Sequence, residues 1–144
     1  KALGGEALRR LQMVPTSAEI SLKSATKEIA LPLKAPAASE NPDPNAGPDH
    51  VTTEIHVLKL GDTCLLGLPG EILIELGLAI KERAPMKNLF IVTLANDAVG
   101  YVPHRQAYKE GGYEPTTATK LAEGAGEVLA EQALALVAEI AEAN

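Results

Sequence analysis

Aromatic side chains are nearly missing from this chain: Phe90, Tyr101, Tyr108 and Tyr113 are its only rings, 3% of the residues. A core must therefore be built from Leu, Ile, Val and Ala, and a tyrosine in any pocket stands out as a polar group placed there. Cysteine is limited to Cys64. That excludes an internal disulfide and leaves the redox compartment open; within an apolar run, Cys64 reads as a small core hydrophobe. No cluster of Lys or Arg offsets the formal net charge of −6, which argues against nucleic acid or an anionic membrane surface as partner. No apolar run approaches the roughly 20 residues that span a bilayer. The three histidines, His50, His56 and His104, share no helical or hairpin spacing that would make a zinc pair. A Gly-x-Ser-x-Gly elbow, a phosphate-binding glycine loop and paired cysteines are missing too. Gly124-Ala125-Gly126-Glu127 follows no strand pattern and is read as helix packing.

What is present is a chain of 144 residues, 46% of them hydrophobic. That suits one domain able to bury about 70% of the surface its unfolded form exposes. It opens Lys1-Ala2-Leu3-Gly4 inside a helical pattern, with Leu3, Ala7, Leu8 and Leu11 on one face and Met13-Val14-Pro15 ending it. Residues 1–34 are therefore expected to be a helix and strand continuing from an upstream part. Ile20 and Leu22 alternate with polar residues, and Ile29, Leu31 and Leu33 do so on the opposite parity, which suggests a bulge or turn near Ser24-Ala25-Thr26. From Ala35 to His50 the composition turns to Pro, Ala, Asn, Asp and Gly, read as a flexible loop. Val51, Thr53, Ile55 and Val57 mark a half-buried strand, with His56 on its polar face beside Glu54. The pair Gly61-Asp62 then predicts a two-residue hairpin into Thr63–Leu68.

The chain is organised around Leu65-Leu66-Gly67-Leu68-Pro69-Gly70-Glu71-Ile72-Leu73, an apolar run that halts at Pro-Gly and resumes as a helical pattern behind one carboxylate. Glu71 is expected at the mouth of that helix, where α/β proteins tend to place chemistry. Unpaired N–H groups in a first helical turn also favour an acid there with no function attached. Ile72, Leu73, Leu76, Ala79 and Ile80 form its apolar face; Gly77 inside it suggests close approach of another backbone, and Pro85 stops it. Residues Asn88 to Ala95 read as a central buried strand. The polar, glycine-containing stretch from Asn96 to Thr117 is the expected functional loop region. Leu121, Ala125, Val128, Leu129, Ala133, Leu136, Val137 and Ile140 carry a final amphipathic helix, with Thr119 as its N-cap.

Leu68-Pro69-Gly70-Glu71 followed by a helix, an apolar strand ending in Asn96, then Gly100-Tyr101 and, twelve residues on, Tyr113-Glu114 resembles the end of the catalytic domain of the neutral/alkaline, non-lysosomal ceramidases. The resemblance runs from about Val51 to Thr117. It implies that residues 51–144 are the C-terminal part of a zinc-dependent amidohydrolase domain that cleaves an N-acyl, ceramide-like bond. It further implies Glu71 and Tyr101 as zinc ligands, with the remaining histidine ligands supplied from upstream. Tyr113 would then hydrogen-bond the substrate carbonyl as charge develops on it. Zinc in such a mixed site lowers the pKa of a bound water to about 7.

The expected fold class is α/β: a mixed β-sheet with packed helices, forming a partial domain completed by an upstream segment. The expected partners are that upstream portion and a small-molecule N-acyl substrate. This piece alone is expected to be inactive, to bind zinc weakly at most, and to self-associate through apolar surface left uncovered. Two other readings stay open: a non-catalytic α/β interaction module in which Glu71 is only a helix-start acid, and a metal hydrolase of another ester or amide.

Overall fold

The computed structural model describes residues 2–16, 18–35 and 49–142. The elements are α1 (Ala2–Leu11), β1 (Leu22–Pro32), β2 (His50–Leu60), β3 (Thr63–Gly67), β4 (Glu71–Ile72), α2 (Ile74–Arg83), β5 (Asn88–Val92), β6 (Tyr101–Val102), α3 (Arg105–Glu110) and α4 (Ala125–Glu142), with a π-turn at Glu114–Ala118 between the last two helices. The loop expected over residues 35–50 falls mostly outside the described residues; His50, placed at its end, already begins β2.

The architecture is α/β, with a four-stranded mixed sheet in the order β1-β2-β3-β5 and a two-stranded sheet of β4 and β6. The turn at Gly61-Asp62 closes the β2–β3 hairpin in the register Leu60↔Thr63, and Gly61 takes a φ of 59° that suits a residue without Cβ. β5 returns parallel to β3, with Leu66 beside Ile91; a parallel pair needs a crossover, and residues 68–87, which include α2, supply it.

One face of the sheet carries the core. Ile29, Leu31, Ile55, Val57, Cys64, Leu66 and Leu89 are buried together with Leu129, Leu136, Val137 and Ile140 of α4. Cys64 thus packs as a hydrophobe, and burial pushes its thiol pKa up. The small residues in Gly124-Ala125-Gly126 serve packing as the sequence suggests: a Cβ on Gly126 would lie 2.4 Å from the Pro103 carbonyl oxygen and 2.7 Å from Leu76. An exposed Arg83–Glu131 ion pair links α2 to α4.

Several local expectations are corrected. β1 has no bulge: its register runs without a break from Leu22↔Leu60 to Pro32↔His50. The two apolar parities belong to two faces, Ile29 and Leu31 turning to the core while Leu22 is exposed on the other side. β5 is an edge strand of the sheet rather than a central one. Its continuous apolar run arises because Leu89 is buried in the core while Phe90 (58% exposed) and Val92 lie on the open face. Gly77 makes no close backbone approach; a Cβ there would meet only Ile91, at 3.8 Å. Thr119 does not cap α4, which begins six residues later. Its hydroxyl donates to the Tyr101 carbonyl at 2.7 Å and accepts the Leu121 N–H at 3.1 Å, while Leu121 bridges to Leu33.

Opposite the core, Leu58, Leu65 and Phe90 form one cross-strand row, on which Phe90 stays exposed. α1 likewise buries none of its residues, and Leu3, Leu8 and Leu11 stay exposed. Among the described residues, no helix is long and apolar enough to cross a membrane.

Candidate functional site

After β3, the chain is locked by backbone bonds in which the carbonyls of Leu68, Pro69 and Gly70 all accept. Leu68 N–H donates to Val92 O at 2.9 Å, Ala95 N–H to Leu68 O at 3.0 Å, Leu94 N–H to Gly70 O at 3.2 Å and Val99 N–H to Pro69 O at 2.8 Å. Glu71 N–H then donates to Gly100 O at 2.9 Å and Leu73 N–H to Val102 O at 3.2 Å, which creates the β4–β6 pair. Glu71 is therefore not at a helix mouth. It sits on a short strand, and α2 starts only at Ile74, with Glu75 as its first-turn acid.

The parallel register sets Glu71 directly beside Tyr101. Both line an open cleft of about 560 Å³ together with Ile72, Leu73, Ile74, Glu75, Thr93, Leu94 and Glu114. The Tyr113 ring meets the Tyr101 ring edge-on, with centroids 6.2 Å apart and planes at 79°. The three side chains singled out in the sequence, Glu71, Tyr101 and Tyr113, thus come together across forty residues of chain. Glu114 and Glu75 join them; their signal in the sequence was only adjacency, Glu114 to Tyr113 and Glu75 to the helix start.

The electrostatics reflect this crowding. The Glu71 carboxylate, followed by partial burial, pushes the Tyr101 phenol above the ordinary tyrosine range, and Glu114 and Tyr113 act in the same direction. Among the described residues, the cleft lining itself contains no Lys, Arg or His, and His104 touches it only through Glu75. A carboxylate beside a phenol presents two hard oxygen donors, a chemistry that suits divalent cations in general rather than zinc in particular. Among the described residues, no three His, Cys, Asp or Glu side chains gather as a metal-holding group.

None of the three histidines lines the cleft, but His104 contacts the lining residue Glu75. His50 contacts Asp49 at 2.7 Å, His56 Nδ1 lies 2.9 Å from Asn96 Nδ2, and His104 Nε2 lies 3.4 Å from Glu75. Asn96 belongs to that second cluster, also donating to Glu54 at 2.8 Å. Tyr108 is likewise outside the cleft, its hydroxyl donating to Leu121 O at 2.9 Å. Leu94 and Asn96 hold positive φ angles of 54° and 67°. Such conformations cost free energy in non-glycine residues and concentrate where surrounding structure imposes them; here the imposing contacts are the bonds from Leu94 and Ala95 back to Gly70 and Leu68.

The fold these elements define is ceramidase-like. The neutral ceramidase from Pseudomonas aeruginosa is similar over 85% of this chain and 29% of that one, with a TM-score of 0.64 at 14% identity. A ceramidase solved in complex with C2 is similar over 63% of this chain and 15% of that one, with a TM-score of 0.54 at 21% identity. The chain thus spans less than a third of the length of either ceramidase. No protein-family model and no curated protein matches the sequence.

Proposed function

We propose that the chain supplies the carboxylate-and-phenol half of a zinc site in an amidohydrolase acting on an N-acyl, ceramide-like amide. The pairing of Glu71 with Tyr101 on one wall of a cleft is the observation that carries this reading. Glu71 and Tyr101 would hold the metal. When bound, zinc would supply Lewis-acid polarisation of the amide carbonyl and acidify water at neutral pH.

The roles of the protein groups follow from their chemistry. Glu71 brings a full negative charge and so favours a cation between itself and Tyr101. Tyr113, edge-on to Tyr101 and largely exposed, would donate its hydroxyl to the carbonyl oxygen as negative charge builds there, an interaction stronger in the transition state than in the ground state. Ile72, Leu73, Ile74 and Leu94 give the cleft an apolar wall. Ile72, Leu73 and Ile74 also line a second cavity of about 240 Å³ that runs past Gly77, Leu78 and Ile91, and an acyl chain follows that path.

The upstream portion of the same longer protein is the proposed partner. It brings the nitrogen ligands and covers the row Leu58, Leu65 and Phe90, because an apolar patch left exposed on a sheet face marks a contact surface. Without it, the 144-residue chain self-associates through this face and hydrolyses nothing; a clean monomer in sedimentation, or turnover by the chain alone with zinc, contradicts that.

The test is hydrolysis of a panel of N-acyl amides and esters by the full-length zinc-loaded protein. Amide turnover that is lost in Tyr113→Phe, with zinc retained, supports the reading. Ester turnover alone points to a hydrolase of a different bond, and no turnover with no bound zinc points to a non-catalytic interaction module that uses the open sheet face.

A further inference from the structure

We propose that Lys34 is a positioning residue that holds Tyr113 against Tyr101 by clamping the π-turn that follows Tyr113; the catalytic meaning of that clamp rests on the hydrolase reading above. Lys34 lies just past β1, and its backbone N–H donates to Lys120 O at 2.8 Å. Its ammonium donates to three carbonyl oxygens of one segment: Pro115 O at 2.8 Å, Thr119 O at 2.9 Å and Thr116 O at 3.3 Å. It also sits 5.8 Å from the Tyr108 ring centroid. An ammonium has three N–H donors and no acceptor, so these carbonyls satisfy it completely.

The segment needs such a partner. Thr119 N–H closes its C-terminal end onto Glu114 O at 3.0 Å, and turns of this kind are rare and found frequently at functional sites. Carbonyls at the end of a helical turn lack partners within it and carry partial negative charge, which a cation complements. The Thr119 hydroxyl ties the same segment to the Tyr101 carbonyl. Tyr113, the residue immediately before the turn, is 63% exposed, and its described ring contact is one edge against Tyr101. Burial therefore cannot fix its position; the polar clamp on the turn behind it does.

The experiment compares wild type, Lys34→Met and Lys34→Gln with tyrosine rings isotopically labelled. In Lys34→Met the cross-peak between the Tyr101 and Tyr113 rings is lost while amide resonances of the sheet keep their positions. Retention of that cross-peak in Lys34→Met overturns the proposal, as does a change spread over the whole sheet. Should Lys34→Met fail to fold, Lys34→Gln, shorter, uncharged and with only two N–H donors for three carbonyls, is read in the same way; failure of both to fold also overturns it. In the full-length protein, kcat for N-acyl amide hydrolysis falls about ten- to hundredfold in Lys34→Met with zinc content and KM unchanged. If wild type turns over no amide, the hydrolase reading falls, and the ring cross-peak still decides the role of Lys34.

Discussion

Replacing Gly70 by alanine isolates the contact that brings the two candidate ligands together. A Cβ at position 70 would lie 2.6 Å from Gly100 O, 2.9 Å from Val102 Cγ2 and 3.0 Å from Val99 Cγ2. The nearest of these is a backbone oxygen that already accepts the Glu71 N–H at 2.9 Å, so β6 can escape only by giving up that bond. Overpacking costs about 1–3 kcal/mol and the lost hydrogen bond about 1 kcal/mol, while a stiffer unfolded chain offsets about 0.4–1 kcal/mol. The net expectation is a loss of about 2–3 kcal/mol, read in urea as a midpoint lower by about 1 M or more at unchanged slope. As β6 separates from β4, Glu71 leaves Tyr101, and the phenol pKa falls toward the ordinary tyrosine range. Gly77→Ala is the control: with its nearest neighbour 3.8 Å away, it should stabilise α2 by up to about 1 kcal/mol. If Gly70→Ala unfolds at the wild-type midpoint with Tyr101 titrating as before, the close β4–β6 approach is refuted.

Three further outcomes are expected. Glu71→Gln lowers the Tyr101 phenol pKa, because the Glu71 carboxylate is the largest cause of its rise. A raised phenol pKa contributes stability below the ordinary tyrosine range that is lost as pH climbs through the folded value, so alkaline unfolding of wild type is steeper than that of Glu71→Gln. Asp97 is held below its ordinary value by the Thr53 hydroxyl, which donates at 2.8 Å, and then by the Ala98 N–H. Thr53→Val therefore raises the Asp97 pKa and costs about 1 kcal/mol at neutral pH; since a depressed carboxylate stabilises above its unfolded pKa and loses that as pH falls through the folded one, the gap between variant and wild type closes in acid. Buried Cys64, its thiol pushed up by desolvation, reacts with an alkylating reagent only as the chain unfolds, and rapid labelling of the native protein by mass spectrometry contradicts its placement.

Where a pattern was local, the chain was readable in advance. The alternation of Val51, Thr53, Ile55 and Val57, the Gly61-Asp62 turn and the apolar stripe of α4 each depend on neighbours a few residues apart, and all three are present. Glu71 was misplaced because a Pro-Gly step before an apolar pattern reads as loop then helix. Two-residue strands such as β4 and β6 have no periodicity of their own and exist only because Gly100 and Val102 arrive to pair. The same blindness to distant partners explains Gly70: an unforeseen close approach falls there rather than on Gly77, since only the fold places Gly100 against it. The grouping of Glu71, Tyr101 and Tyr113 was legible through the family resemblance, whereas Lys34, sixty-seven residues before Tyr101, carried no signal at all.

Zinc content of the full-length protein tests the central claim most directly, measured for wild type, Glu71→Gln and Tyr101→Phe after dialysis against trace metal, with folding checked by circular dichroism. The account predicts bound zinc in wild type and its loss in either folded variant. Undiminished zinc in both folded variants would contradict it.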